Sequence, residues 1–315
     1  MKIMVTGVSS MIGKEIAKSL KTVDEDCEVF GVYHEECDLL DFHQVHSMFT
    51  AVRPEYVIHA AGYNGGIFWN KNYPATIFYR TVQMGLNVLE MSQRFNVSKV
   101  LSIISSCSYP DLLEEMKEGS LWDGPANPTV ECHAYAKRFL DAFSRQISQQ
   151  YSTECVSVVL NNSYGPYDNF HPEKTKVVGA LIKKFVDARE QNLEEVVCWG
   201  TGAPLRELTY SVDAGYMIAQ SLFLHSNPYV PLNIGSDEEI SIKDLAELIA
   251  TTVGYNGQIK WDTTKPDGQY RKKLDLTTVK ELLGDKFIVT PIKRAIKETV
   301  DWYEKYKKYS SLQKT

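Results

Sequence analysis

Up to about Leu160 the chain alternates short, nearly continuous apolar runs with longer amphipathic stretches. KIMVT (2–6), CEVFGVY (27–33), YVIHA (56–60), KVLSIIS (99–105) and ECVSVVL (154–160) predict strands buried on both faces. Helices are predicted between them: one from Met11, one from Phe42, a long one over 74–94 and another over 131–151. Buried strands alternating with helices specify an α/β fold with a doubly wound parallel sheet, the Rossmann arrangement. After about Tyr164 the pattern loosens into loops, helices and isolated strands. The expected organisation is a dinucleotide-binding domain over 1–163. Residues 164–315 are expected to form mainly a smaller lobe that closes over a substrate, with some segments returning to the sheet.

Composition narrows the function. The 315 residues suffice for one large α/β domain, or for one with a small second lobe. A net charge of −6 supplies no basic field for nucleic acid, so an anionic ligand must be held locally. No apolar run is long enough to span a bilayer and no signal-peptide pattern opens the chain, so no membrane partner and a cytoplasmic location are expected. The six cysteines are scattered without a Cys-x-x-Cys pair, which argues against disulfides and against a metal site.

The first strand runs into TGVSSMIGKEIAKSL. Gly7 and Gly13 bracket a strand-to-helix turn, with Ser9, Ser10, Met11 and Ile12 between them, and the helix N-terminus offers N–H groups to a pyrophosphate. The middle glycine of the usual three is Ser10. Ala60, Ala61 and Gly62, after the third strand, are expected to wall the same site. At the tip of the second strand neither an acidic residue nor an arginine stands cleanly. Ser9, Ser10 and His34 can hydrogen-bond a 2′-phosphate or can simply be solvated, while Asp38 and Leu39 look placed for the adenine edge. NADP(H) is expected, with NAD(H) as the alternative.

The helix segment ECHAYAKRFL (131–140) carries His133 and Lys137 at i and i+4, on one face. Tyr135 lies roughly 200° around the helix from His133, at ~100° per residue, and is expected to pack rather than react. An imidazole titrates near ~6.5 and can give or take a proton, so an ionisation between about pH 5 and 8 is expected. Ser105, at the end of the fourth strand, is placed to polarise a carbonyl oxygen.

Together these segments resemble the extended short-chain dehydrogenase/reductases, and among them the GDP-L-fucose synthase family. HAAGYNGGIFWNKNYPA is similar to its Gly-Gly-Ile loop, SSCSYP to its Ser-Ser-Cys-x-Tyr-Pro, and YGPYDNFHP to its Tyr-Gly-Pro-x-Asp-Asn-Phe-His-Pro. WGTGAPLREL and KPDGQYRKKLD resemble its later sugar-nucleotide segments. The resemblance implies that Ser105 bonds the substrate C4 oxygen and that Lys137 holds the nicotinamide ribose. It implies that Cys107 and His171 are an acid/base pair for C3 and C5. Asn162, Lys183, Trp199, Arg206 and Lys265 fall on or near pocket segments, and Arg271, Lys272 and Lys273 add a local basic cluster. His133 stands where the family has its catalytic tyrosine.

The resulting expectation is a reductase of a GDP-4-keto-6-deoxy-sugar, hexose or heptose, serving surface polysaccharide synthesis. Three alternatives remain open at this level: a bifunctional 3,5-epimerase/4-reductase, a C4 dehydrogenase with tightly held NAD, and an inactive sugar-nucleotide-binding protein. A homodimer is expected through helices 74–94 and 131–151. Met84, Leu86, Leu89, Met91, Phe139, Leu140 and Phe143 give these helices apolar residues on more than one face.

Overall fold

A computed structural model of the chain describes residues 1–172, 174–265, 267 and 270–312. The first half runs β1 (Lys2–Thr6), α1 (Met11–Val23), β2 (Glu28–Val32), α2 (Phe42–Val52), β3 (Tyr56–His59), α3 (Ile67–Asn72) and α4 (Pro74–Arg94). It continues with β4 (Lys99–Ser105), α5 (Glu131–Gln150) and β5 (Glu154–Leu160). The second half adds β6 (Asn162–Tyr164), α6 (Val177–Glu190), β7 (Glu195–Trp199), β8 (Leu205–Tyr210), α7 (Ser211–Leu224) and β9 (Leu232–Ile234). It ends with β10 (Glu239–Ser241), α8 (Ile242–Val253), β11 (Gln258–Asp262), α9 (Thr277–Leu283) and α10 (Ile292–Leu312).

Six strands form a parallel sheet in the order β2-β1-β3-β4-β5-β9. Strand alternation divides its side chains between two layers. Ile3, Val5 and Ile58 pack with Ile16 and Leu20 of α1 and Met217 and Ile218 of α7. Met4 and Val57 pack on the other face with Phe49 of α2, Val88 and Leu89 of α4, and Leu140 of α5. Each buried aliphatic side chain contributes about 1.5–3 kcal/mol, which is why the predicted runs had to be almost wholly apolar. A third core joins α6, β8, α8 and α10 around Ile182, Phe185, Leu208, Leu245, Ile249 and Ile296. Two small sheets, β10-β8-β6 and β11-β7, accompany it.

The chain passes from β1 to β2 on one side and then crosses to β3 on the other. That reversal puts the loops after β1 and β3 side by side at the carboxyl edge, where open α/β sheets bind ligands.

Candidate active site

The loop after β1 is a close-fitting turn. Gly7 has φ +70°, and a methyl group built on it would lie 2.7 Å from the Ala61 nitrogen. One built on Gly13 would lie 2.2 Å from the Gly7 carbonyl oxygen. Both positions therefore require glycine: the turn at Gly7 lies hard against Ala60 and Ala61, and α1 at Gly13 hard against Gly7 and Val8. Ser10 caps α1, its Oγ accepting from the Gly13 nitrogen at 3.0 Å, so this hydroxyl has an intramolecular role before any ligand arrives. Ser9 is exposed; Met11 and Ile12 are half-buried in the first turn of α1. His34 is exposed at the tip of β2, with Nδ1 4.0 Å from Asp38 Oδ1. Leu39, expected at the adenine edge, buries its side chain in the core, and its carbonyl accepts from Asn87 Nδ2 at 2.8 Å. The turn, the capped helix and the Ala60–Gly62 wall fit a dinucleotide pyrophosphate.

His133 and Lys137 lie on the buried face of α5. Lys137 Nζ donates to the Ile103 carbonyl at 2.8 Å and is 3.6 Å from the position a methyl on Gly62 would take. Lys137 thus joins β4, α5 and the loop after β3. Burial lowers its pKa to about 8. His133 is pushed down to about 3, first by burial and then by the charges of Lys137 and Lys176. Its Nδ1 has no hydrogen-bond partner among the described residues. The ionisation expected between pH 5 and 8 is therefore corrected: a dry site beside two ammonium groups keeps this imidazole neutral there. Tyr135 packs away from the pair, its ring centroid 5.4 Å from the Arg138 guanidinium.

Ser105 ends β4, and its Oγ accepts from the Cys107 nitrogen at 3.3 Å. The turn that follows is fastened to α5 by Ser108 Oγ, which donates to the Ala134 carbonyl at 3.4 Å. Ser105 and Cys107 are thereby brought to the end of α5 that carries His133. Lys272 Nζ donates to Cys107 Sγ at 3.8 Å. His171 is exposed on the loop before α6, where its nitrogen donates to Asn169 Oδ1 at 2.9 Å. Lys174 of that loop sits 4.7 Å over the Trp69 ring. Asn70, next to Trp69, donates to Asn64 Oδ1 and Gly65 O at 3.0 Å and to Gly66 O at 3.1 Å, and its Oδ1 meets Cys132 Sγ at 3.4 Å. The glycine loop is thus tied to the start of α5.

The expected pocket residues divide. Arg206, on β8, is partly buried and donates to the Leu205 carbonyl at 2.7 Å; burial lowers its pKa and Asp267 opposes that. Trp199, at the end of β7, is 70% exposed, with Lys265 Nζ 5.7 Å from its ring centroid. Asp267 braces this loop, accepting from the Thr201 nitrogen at 2.6 Å and its hydroxyl at 2.7 Å. Asn162 lies half-buried on β6. Lys183 is engaged by Asp187, a carboxylate it shares with Lys307 of α10. The basic cluster is largely neutralised within the protein, Arg271 by Glu239 and Lys273 by Asp237. Pro266, Gly268 and Gln269 of the motif lie outside the described residues.

Sequence reasoning missed three placements: Lys272 at Cys107, Lys176 near His133, and Asn70 as the knot of the glycine loop. The first joins residues 165 positions apart, and no local pattern marks it.

A profile of the NAD dependent epimerase/dehydratase family matches residues 3–235. The chain is 35% identical to a GDP-L-fucose synthase of Dictyostelium discoideum over 96% of its own length and 94% of that protein's. It superposes with a TM-score of 0.90 on a Naegleria fowleri GDP-L-fucose synthetase bound to NADP, at 33% identity, covering 97% of this chain and 93% of that one. A GDP-6-OMe-4-keto-L-xylo-heptose reductase from C. jejuni superposes with a TM-score of 0.87 at 25% identity, covering 97% and 98%. A glycine-bounded turn after the first strand, a helix presenting a lysine to β4 and a serine ending that strand thus accompany similarity over nearly the whole chain, and the protein belongs to the NAD dependent epimerase/dehydratase family, on its GDP-L-fucose synthase branch.

Proposed function

We propose that this protein is an NADPH-dependent reductase acting at C4 of a GDP-4-keto-6-deoxy-sugar, hexose or heptose, in the cytoplasm. The observation that supports this reading best is Lys137 between Gly62 and the Ile103 carbonyl of β4, with Ser105 ending that strand and His133 one turn before Lys137 on the buried face of α5. NADPH, held by the Gly7–Gly13 turn, the Ala60–Gly62 wall and Lys137, supplies a hydride when bound. The Ser105 hydroxyl donates to the C4 oxygen and polarises the carbonyl. His133, being neutral, gives a proton from one ring nitrogen to the developing alkoxide. Its buried Nδ1 needs a proton in exchange, and Lys137 is the neighbouring acid whose proton burial has loosened. Residues from 164 on are assigned mainly to the sugar-nucleotide lobe, with α7 and β9 returning to the sheet, and in that lobe Arg206 suits a diphosphate and Trp199 a flat or apolar surface.

The placement of Lys272 on Cys107 favours one second reading, in which Cys107 and His171 also move protons at C3 and C5. One assay separates the readings. The protein is given NADPH and a GDP-4-keto-6-deoxy-hexose in deuterium oxide. NADPH consumption with no deuterium at C3 or C5 is expected. Deuterium at those carbons supports the epimerase as well, and binding without NADPH consumption would leave an inactive nucleotide-sugar binder.

A further inference from the structure

Glu207 lies in β8 with no exposed surface, and it forms no ion pair among the described residues. Its charge is met instead by four N–H groups. Oε1 accepts from the nitrogens of Ser236 at 2.9 Å and Asp237 at 3.2 Å. Oε2 accepts from the Leu274 nitrogen at 2.8 Å and from Asn161 Nδ2 at 3.0 Å. Burial pushes the Glu207 carboxyl above its ordinary range, and these four donors offset only part of that rise. A protonated carboxyl would set an O–H among donors, so the carboxylate is the form that fits. A methyl group on Gly235 would lie 2.0 Å from Oε1, so that position is kept clear for the carboxylate.

The donors lead to the reaction centre from two directions. Asn161 passes the connection on, its Oδ1 accepting from Ser106 Oγ at 3.1 Å. Ser106 stands between Ser105 and Cys107. Leu274 lies two residues beyond Lys272, whose ammonium meets Cys107 Sγ at 3.8 Å. Thiol and ammonium, far apart in sequence, are both referred to one buried carboxylate.

We propose that Glu207 is a positioning residue of the reaction centre: through Asn161 and Ser106 it fixes the Ser105–Cys107 turn, and through Leu274 it fixes Lys272 against that turn. The proposal rests on the reading of Ser105 as the group that polarises the C4 oxygen. A carboxylate serving only the fold would contribute to stability without bearing selectively on turnover. Misplacing a reacting group by a fraction of an ångström lowers the rate while leaving substrate affinity in place.

Asn161→Ala cuts the arm to Ser106 and leaves the other three donors on Glu207. It is expected to lower kcat about tenfold or more, with KM for NADPH and for the GDP-sugar changed by less than about threefold. Alkylation of Cys107 by iodoacetamide, followed by peptide mass spectrometry, is expected to change at least about threefold. Cys132, the other cysteine that is not buried, serves as the internal standard. Ser106→Ala removes the same bond from its other end and decides the matter if Asn161→Ala does not fold. Glu207→Gln sets an amide NH2 against two donors in either orientation and is expected to reproduce the kcat loss together with a lower melting temperature. Values of kcat and of Cys107 alkylation within about twofold of wild type in the folded variants would overturn the proposal. Alkylation still decides it if the wild-type protein proves to have no reductase activity, an outcome that counts against the C4 reading alone.

Discussion

A histidine four residues before Lys137 keeps the face of the helix that a proton donor needs, but its burial changes how it works. With its pKa near 3, His133 carries no charge at neutral pH, so in the proposed reaction it would donate as a neutral imidazole and be resupplied from Lys137. Replacing it with phenylalanine is expected to lower kcat by about 10²–10⁴-fold with little change in KM for the GDP-sugar. The wild-type kcat is expected to stay level between about pH 5 and 7 and to fall as pH rises through about 8, where Lys137 loses its proton. An unchanged kcat in His133→Phe would move the proton source to solvent or to the sugar. Spacing showed which residues share the face and that Tyr135 does not. It could not show how dry that face is, because dryness depends on β4 and the loop before α6, which are remote in sequence.

At the scale of elements, β1, β3, β4 and β5 were legible because each is buried on both faces and so carries an almost unbroken apolar run, while β2, half-buried at the sheet edge, is marked by its apolar Val29, Phe30 and Val32. The short strands of the second half were not, since three residues such as those of β9 or β10 hold too little pattern. The helix pair α4 and α5 illustrates the limit of composition. Of the apolar residues expected on more than one face, Leu89, Met91 and Leu140 are buried in the protein's own core. Phe139, also among those residues, is 42% exposed, and Tyr79, 63% exposed, and Phe78, 39% exposed, add outward apolar surface. The expected homodimer would bury this surface in a twofold contact between subunits. Phe139→Glu is expected to shift the light-scattering mass from dimer to monomer at micromolar concentration. A wild-type protein that is already monomeric there would overturn that expectation.

At the scale of the molecule, three histidines are buried in neutral form. Burial lowers His59 and His133 to about 3 and His225 to about 4. In the unfolded chain each takes a proton near about 6.5, so its contribution is complete above that pH and is lost as pH falls towards the folded value. The loss is about 1.4 kcal/mol per pH unit for each group. Urea unfolding is therefore expected to show the wild type losing about 2 kcal/mol more than His133→Phe between pH 6.5 and 5. Equal losses in the two proteins would mean that the imidazole is hydrated in the folded state.

In the proposed reaction this folded frame brings hydride to C4 of a GDP-4-keto-6-deoxy-sugar at the carboxyl edge of the sheet. That transfer is tested most directly with NADPH deuterated at the transferred position of the nicotinamide and a GDP-4-keto-6-deoxy-hexose. The product nucleotide is then analysed by mass spectrometry and proton resonance. One deuterium per product molecule is expected, at C4, with transfer suppressed in Lys137→Ala and slowed in His133→Phe. Deuterium elsewhere in the sugar, or none transferred while the nucleotide binds, would contradict the proposed reaction.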